Sequence, residues 1–128
     1  MSDMSKMLMA SAFDYVSIAQ KRVENYEILA GELSHIALHP SLPPGVVPLG
    51  FPVRLANRDE VLKMLYAHNI FPPVHWPFGG ILPEEFKESY RLLGDIMMLP
   101  CDQRYDLADM LRVAGLVRPD AVPVQPGK

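Results

Sequence analysis

Thirteen prolines in 128 residues, about twice the usual share of roughly 5%, limit how long any element of this chain can run. Most gather in three places, Pro40 to Pro48, Pro72 to Pro77 and Pro119 to Pro126. Proline has no N–H to donate and fixes φ, so helix interiors and central ladder positions exclude it. The clusters therefore read as punctuation between elements. The one long proline-free stretch lies ahead of Pro40.

That stretch predicts a long helix over residues 5–37. Ala12, Val16, Ala19, Val23, Tyr26, Ala30 and Leu33 alternate steps of four and three, which sets them on one stripe. Ile18, Leu29 and Ile36 widen it, and Lys21, Arg22, Glu24 and Glu32 form a polar back. The first turns carry Met4, Met7, Leu8 and Met9, more apolar surface than a small domain can cover. They reach another polypeptide, fray, or fold back onto the domain.

After the turn chemistry of Ser41-Leu42-Pro43-Pro44-Gly45, residues 46–55 predict a strand that Pro48 and Pro52 restrict to an edge or to pairing along residues 51–55. Asn57 and Glu60 predict a capping box opening a helix that buries Val61, Leu62, Met64 and Leu65, with Asn69 as a left-handed terminus. Ile70 to Trp76 is a second extended segment. Pro83 suits a first helical position ahead of Phe86, Tyr90 and Leu93, and Ile96 to Pro100 is a short apolar strand. Asp102 to Tyr105 lead into a last helix lined by Leu107, Met110, Leu111 and Ala114. The expected fold is α+β: a long N-terminal helix, then a small, mainly antiparallel sheet of about three strands with helices packed on one face.

Composition excludes several functions. No run reaches the roughly 18 apolar residues of a membrane span, and Asp3 and Asp14 sit wrongly for a secretory signal. A net charge of −3 with interleaved signs offers no basic stripe for nucleic acid. The single cysteine, Cys101, leaves no internal disulfide, and the cytoplasm is the expected compartment.

Local chemistry is sparse. His35 and His39 have a ligand-like spacing of four but no third partner nearby, so no metal site is expected. Cys101, Asp102 and His75 are the residue types of a thiol nucleophile and base, yet Cys101 reads better as a buried small hydrophobe at a strand end. Glu84 and Glu85 are adjacent and diverge on a helix, and Gly79-Gly80 is too short for a phosphate loop. The most unusual segment is Pro72-Pro73-Val74-His75-Trp76-Pro77, where strand alternation sends His75 and Trp76 to opposite faces.

Four segments in order resemble one family. Val47 to Val61, Asn69 to Pro77, Met98 to Tyr105 and the helix around Lys21-Arg-Val-Glu-Asn-Tyr-Glu-Ile-Leu are similar to the C-terminal small domain, and its joining helix, of DegT/StrS aminotransferases. These are fold-type I, pyridoxal phosphate-dependent enzymes acting mostly on nucleotide-linked keto sugars. The resemblance spans about residues 10 to 117. It implies a linker-type helix over 1–37 packed on the domain and an aminotransferase-like small domain over 38–118; the aperiodic stretch over 119–128 is expected to be a mobile tail. It also implies that His75 and Trp76 lie near the lip of a substrate pocket and that Asp102 to Tyr105 fix a turn.

The family's large domain carries the Schiff-base lysine, and none of Lys6, Lys21, Lys63, Lys87 or Lys128 sits in a segment like that motif. No catalytic or cofactor-binding residue is therefore assigned here. Pyridoxal phosphate is not expected on this chain alone. The expected partners are a second copy or a separate large-domain polypeptide. The other reading is a non-catalytic module that dimerises or docks a partner through its exposed helix face.

Overall fold

A computed structural model describes residues 2–75 and 83–124. The elements follow in the order α1 (Asp3–Ser11), α2 (Tyr15–Leu33), β1 (Phe51–Arg54), α3 (Arg58–Ala67), α4 (Lys87–Asp95), β2 (Ile96–Leu99) and α5 (Leu107–Asp120). The fold is α+β. None of its described helices is long and apolar enough to cross a membrane.

The single helix expected over 5–37 is two helices. Asp14 breaks it: its carboxylate accepts from the Ser17 N–H at 3.1 Å and from the Ser17 hydroxyl at 2.6 Å, capping α2 afresh. Those bonds hold the Asp14 carboxyl below its usual range. No residue of α1 is buried, so the end does not fold back on the domain. Burial on α2 begins only with Asn25 and Tyr26 and continues through Leu29 and Leu33, while Ala12 and Val16 of the expected stripe stay exposed.

β1 and β2 pair antiparallel, with Phe51 opposite Leu99 and Arg54 opposite Ile96. The strand expected over 46–55 is shorter because the chain first turns at Gly45, whose φ of 78° suits glycine, and passes Pro48. On its other side β1 meets residues 36–38: Arg54 N–H donates to Ile36 O at 2.9 Å, and Leu38 N–H to Pro52 O at 3.0 Å. Pro52 can accept there but not donate, which ends that short pairing. The described residues form a two-stranded sheet rather than about three strands. Residues 70–75 run beside it with one backbone bond, Met98 N–H to Pro73 O at 3.4 Å, since Pro72 and Pro73 bring no donors.

Alternation puts Phe51, Val53, Leu55, Met97 and Leu99 on one buried face. Tyr26, Leu29 and Leu33 of α2, Val61 and Leu65 of α3, and Met110, Val113, Ala114 and Val117 of α5 complete the core. Tyr26 meets Phe51 edge-on, with ring centroids 4.9 Å apart. The buried side of α5 is rotated from the expected one, leaving Leu107 and Leu111 exposed.

Three caps also differ. Asn57 makes no bond to α3; its amide donates to Asp120 O at 2.6 Å and its oxygen accepts from Val122 N–H at 3.0 Å. With the Leu55–Pro123 bridge, these bonds tie down residues 120–123, part of the stretch expected to be mobile. The capping box belongs to Asp106 and Asp109 of α5. α4 starts at Lys87, after a turn in which Phe86 N–H donates to Pro83 O. Asn69 does take the left-handed conformation, with φ 60°.

Because Leu29 is fully buried and Leu8 half-exposed, Leu29→Ala should cost about 2–5 kcal/mol. Leu8→Ala should stay within about 0.5 kcal/mol. Urea denaturation of the two variants measures both; equal losses would mean that α1 is packed.

Candidate functional site

An open cleft of about 480 Å³ lies where β2 ends and α5 begins. Ile70, Met98, Leu99, Met110 and Val113 supply its apolar lining, while Asp102, Arg104, Asp109, Arg112, Tyr105 and His75 supply its polar one. Leu49 and Gly50 border it on the β1 side. Gly50 lies so close to Met98 that an added Cβ would meet its Cγ and Sδ at 2.4 Å, so this wall can carry no larger residue unless Met98 moves.

The turn after β2 is built by Asp102. Its carboxylate takes a bidentate pair from Arg104, at 2.8 Å to Nε and 2.9 Å to Nη2, and also accepts the Arg104 backbone N–H at 3.1 Å. These bonds, the side-chain pair foremost, hold the Asp102 carboxyl below its usual range. Two residues of α2 reach the same region. Arg22 donates to Pro48 O at 2.8 Å, Leu49 O at 2.9 Å and Gln103 Oε1 at 2.9 Å. The buried Asn25 amide donates to Asp102 O and Tyr105 O, both at 3.0 Å. On α5, Arg112 donates to His68 O at 3.0 Å.

Asp102 to Tyr105 thus form the turn into the last helix. Arg22 and Asn25 were not singled out from the sequence, although Asn25 lies in four-residue register with Leu29 and Leu33. A polar residue in line with a buried apolar stripe is the signal that marks it.

His75 is exposed and lines the cleft; Trp76 lies outside the described residues. Cys101 is fully buried and is not among the residues facing the cleft. Burial pushes its thiol up to about 11, with Arg22 opposing and Asp102 reinforcing the shift. A thiol so raised is a poor nucleophile at neutral pH. His35 and His39 are exposed, and His39 O accepts from the Tyr26 hydroxyl. No three His, Cys, Asp or Glu side chains gather for a metal among the described residues. Glu84 and Glu85 are exposed.

No protein-family model and no curated protein matches this sequence. Solved structures do share its fold. A DegT/DnrJ/EryC1/StrS aminotransferase from Brucella abortus matches at 20% identity with a TM-score of 0.66, and the aminotransferase TlmJ from Streptoalloteichus hindustanus at 22% with 0.57. The chain has a fold found within these aminotransferases. The likeness covers 80% and 79% of this chain but only 31% of each of theirs. The chain therefore spans under a third of the length of the structures it matches.

Among the described residues no lysine faces the cleft. Lys6 and Lys21 pair with Asp3 and Glu24 on their own helices, and Lys63 and Lys87 are exposed.

Two of the shifted groups, Asp102 and Cys101, sit at this turn and contribute to the pH response. Asp102 is lowered in the fold, so its contribution is present above the ordinary carboxylate range and is lost as pH falls through the lowered value. Cys101 is raised, so stability falls as pH climbs from the ordinary thiol range towards about 11. Urea midpoints across pH should show both limbs. Asp102→Asn should flatten the acid limb and Cys101→Ala the alkaline one.

Proposed function

We propose that this chain is the small C-terminal-type domain of a pyridoxal phosphate-dependent aminotransferase of the DegT/StrS kind, inactive alone. The lysine chemistry would come from a large domain beyond the described residues, and the substrate would be a nucleotide sugar or related keto compound. The observation that supports this is the likeness in fold to two aminotransferases over 80% and 79% of the chain, combined with the absence of a lysine facing the cleft among the described residues. His75, on the cleft's lining, would meet substrate at the lip. Mixing the chain with pyridoxal phosphate should give no Schiff-base absorption band that depends on any one lysine. A band lost on replacing one of the five lysines would overturn the inactive reading.

One feature favours a second reading, a non-catalytic interaction module. α1 and the residues after it expose Met4, Met7, Leu8, Met9, Phe13, Tyr15 and Val16. A surface of this kind is a common site of association, with a second copy or a large-domain polypeptide. Sedimentation across a concentration series should then show self-association that is lost when residues 2–12 are deleted. A monomer at high concentration counts against the homodimer.

A further inference from the structure

The two walls of the cleft are joined at the base through the β1–β2 ladder, where Phe51 faces Leu99. Above that base the chain leaves both strands as turns, residues 48–50 on one side and 102–105 on the other. What spans them is a side chain from neither. The Arg22 guanidinium holds Pro48 O and Leu49 O with one part of its fork and Gln103 Oε1 with another. One turn along α2, Asn25 is fully buried and holds the second wall by two carbonyls, Asp102 O and Tyr105 O.

We propose that Arg22 and Asn25 form a clamp on α2 that sets the width of the cleft, so that its two walls open together, when these contacts release. The proposal goes beyond the aminotransferase reading and rests on none of it. The physical basis is the geometry of the donors. A guanidinium offers five N–H groups in a fixed plane, so it can hold acceptors on two sides of one rigid fork, whereas the three donors of an ammonium radiate from a single atom on a flexible stem. Each of the four backbone carbonyls held here belongs to a turn rather than to a ladder, so losing the side-chain donor leaves that turn with less to fix it. Opening is then a local event with its own free energy, below that of global unfolding.

Cys101 provides the reporter. It is the chain's one cysteine, fully buried, and sits between the end of β2 and the second wall. An aromatic disulfide reagent can label it only when the wall moves or the whole domain unfolds. The direction is unambiguous, because the Arg22 charge favours the thiolate. Removing that charge does not activate the thiol, so labelling faster than global unfolding allows comes from local opening.

The experiment compares native-state labelling rates of the unaltered chain with Arg22→Ala, Arg22→Lys and Leu65→Ala, each set against its own global stability from urea denaturation. Leu65 is buried in α3 and serves as the control for destabilisation elsewhere. Arg22→Ala and Arg22→Lys should both label on the order of tenfold faster than their global unfolding accounts for. Leu65→Ala, with the clamp intact, should label no faster than the unaltered chain's local opening and its own global unfolding together allow. Amide exchange should rise in 49–50 and 102–105 together. Labelling in both Arg22 variants that merely tracks global unfolding overturns the proposal, as does exchange that rises in one wall alone. If Arg22→Ala does not fold, Gln103→Ala removes one exposed contact of the clamp. Both walls should still exchange faster in it, and a response confined to 102–105 overturns the proposal.

Discussion

Two four-residue strands cannot stand as a sheet in water, because a lone hairpin-sized ribbon is marginal at best. What makes this one possible is the apolar face formed by Phe51, Val53, Leu55, Met97 and Leu99, and its burial against α2 and α5. The helices depend on it in turn. Tyr26, Leu29 and Leu33 on α2 and Met110, Val113, Ala114 and Val117 on α5 are buried within the same cluster. The cleft follows from this arrangement, since it opens where β2 gives way to α5 and where α2 reaches across with Arg22 and Asn25.

Prolines shape the margins of that core. Pro52 accepts a bond from Leu38 on the open side of β1 but cannot return one, so the extra pairing stays short. Pro72 and Pro73 keep 70–75 from joining as a third strand, while leaving Pro73 O free to take the Met98 N–H. The result is a small sheet with a lining segment alongside, and His75 at the end of that segment lines the cleft.

Much of this was legible in the sequence. Steps of four and three located the buried half of α2, the short apolar run of 96–100 located β2, and Asn69 signalled a left-handed helix end. Each of these signals is local. The features that were not legible depend on where the chain returns in space. Asn57 carries a capping signature but turns to Asp120 and Val122, more than sixty residues away. Asp14 was read only as out of place in a secretory signal, though its bonds to Ser17 start a second helix. Arg22 was assigned to a polar back because its acceptors lie in two distant turns. The apolar surface of α1 was legible as excess, and it is exposed in the fold.

The chain therefore combines an aminotransferase-type fold with a cleft that no described lysine faces. The most direct measurement is borohydride reduction of the chain after incubation with pyridoxal phosphate, followed by peptide mass spectrometry. The account predicts sparse pyridoxyl label spread over several exposed lysines. Stoichiometric label on a single lysine, lost on unfolding before the incubation, would contradict it.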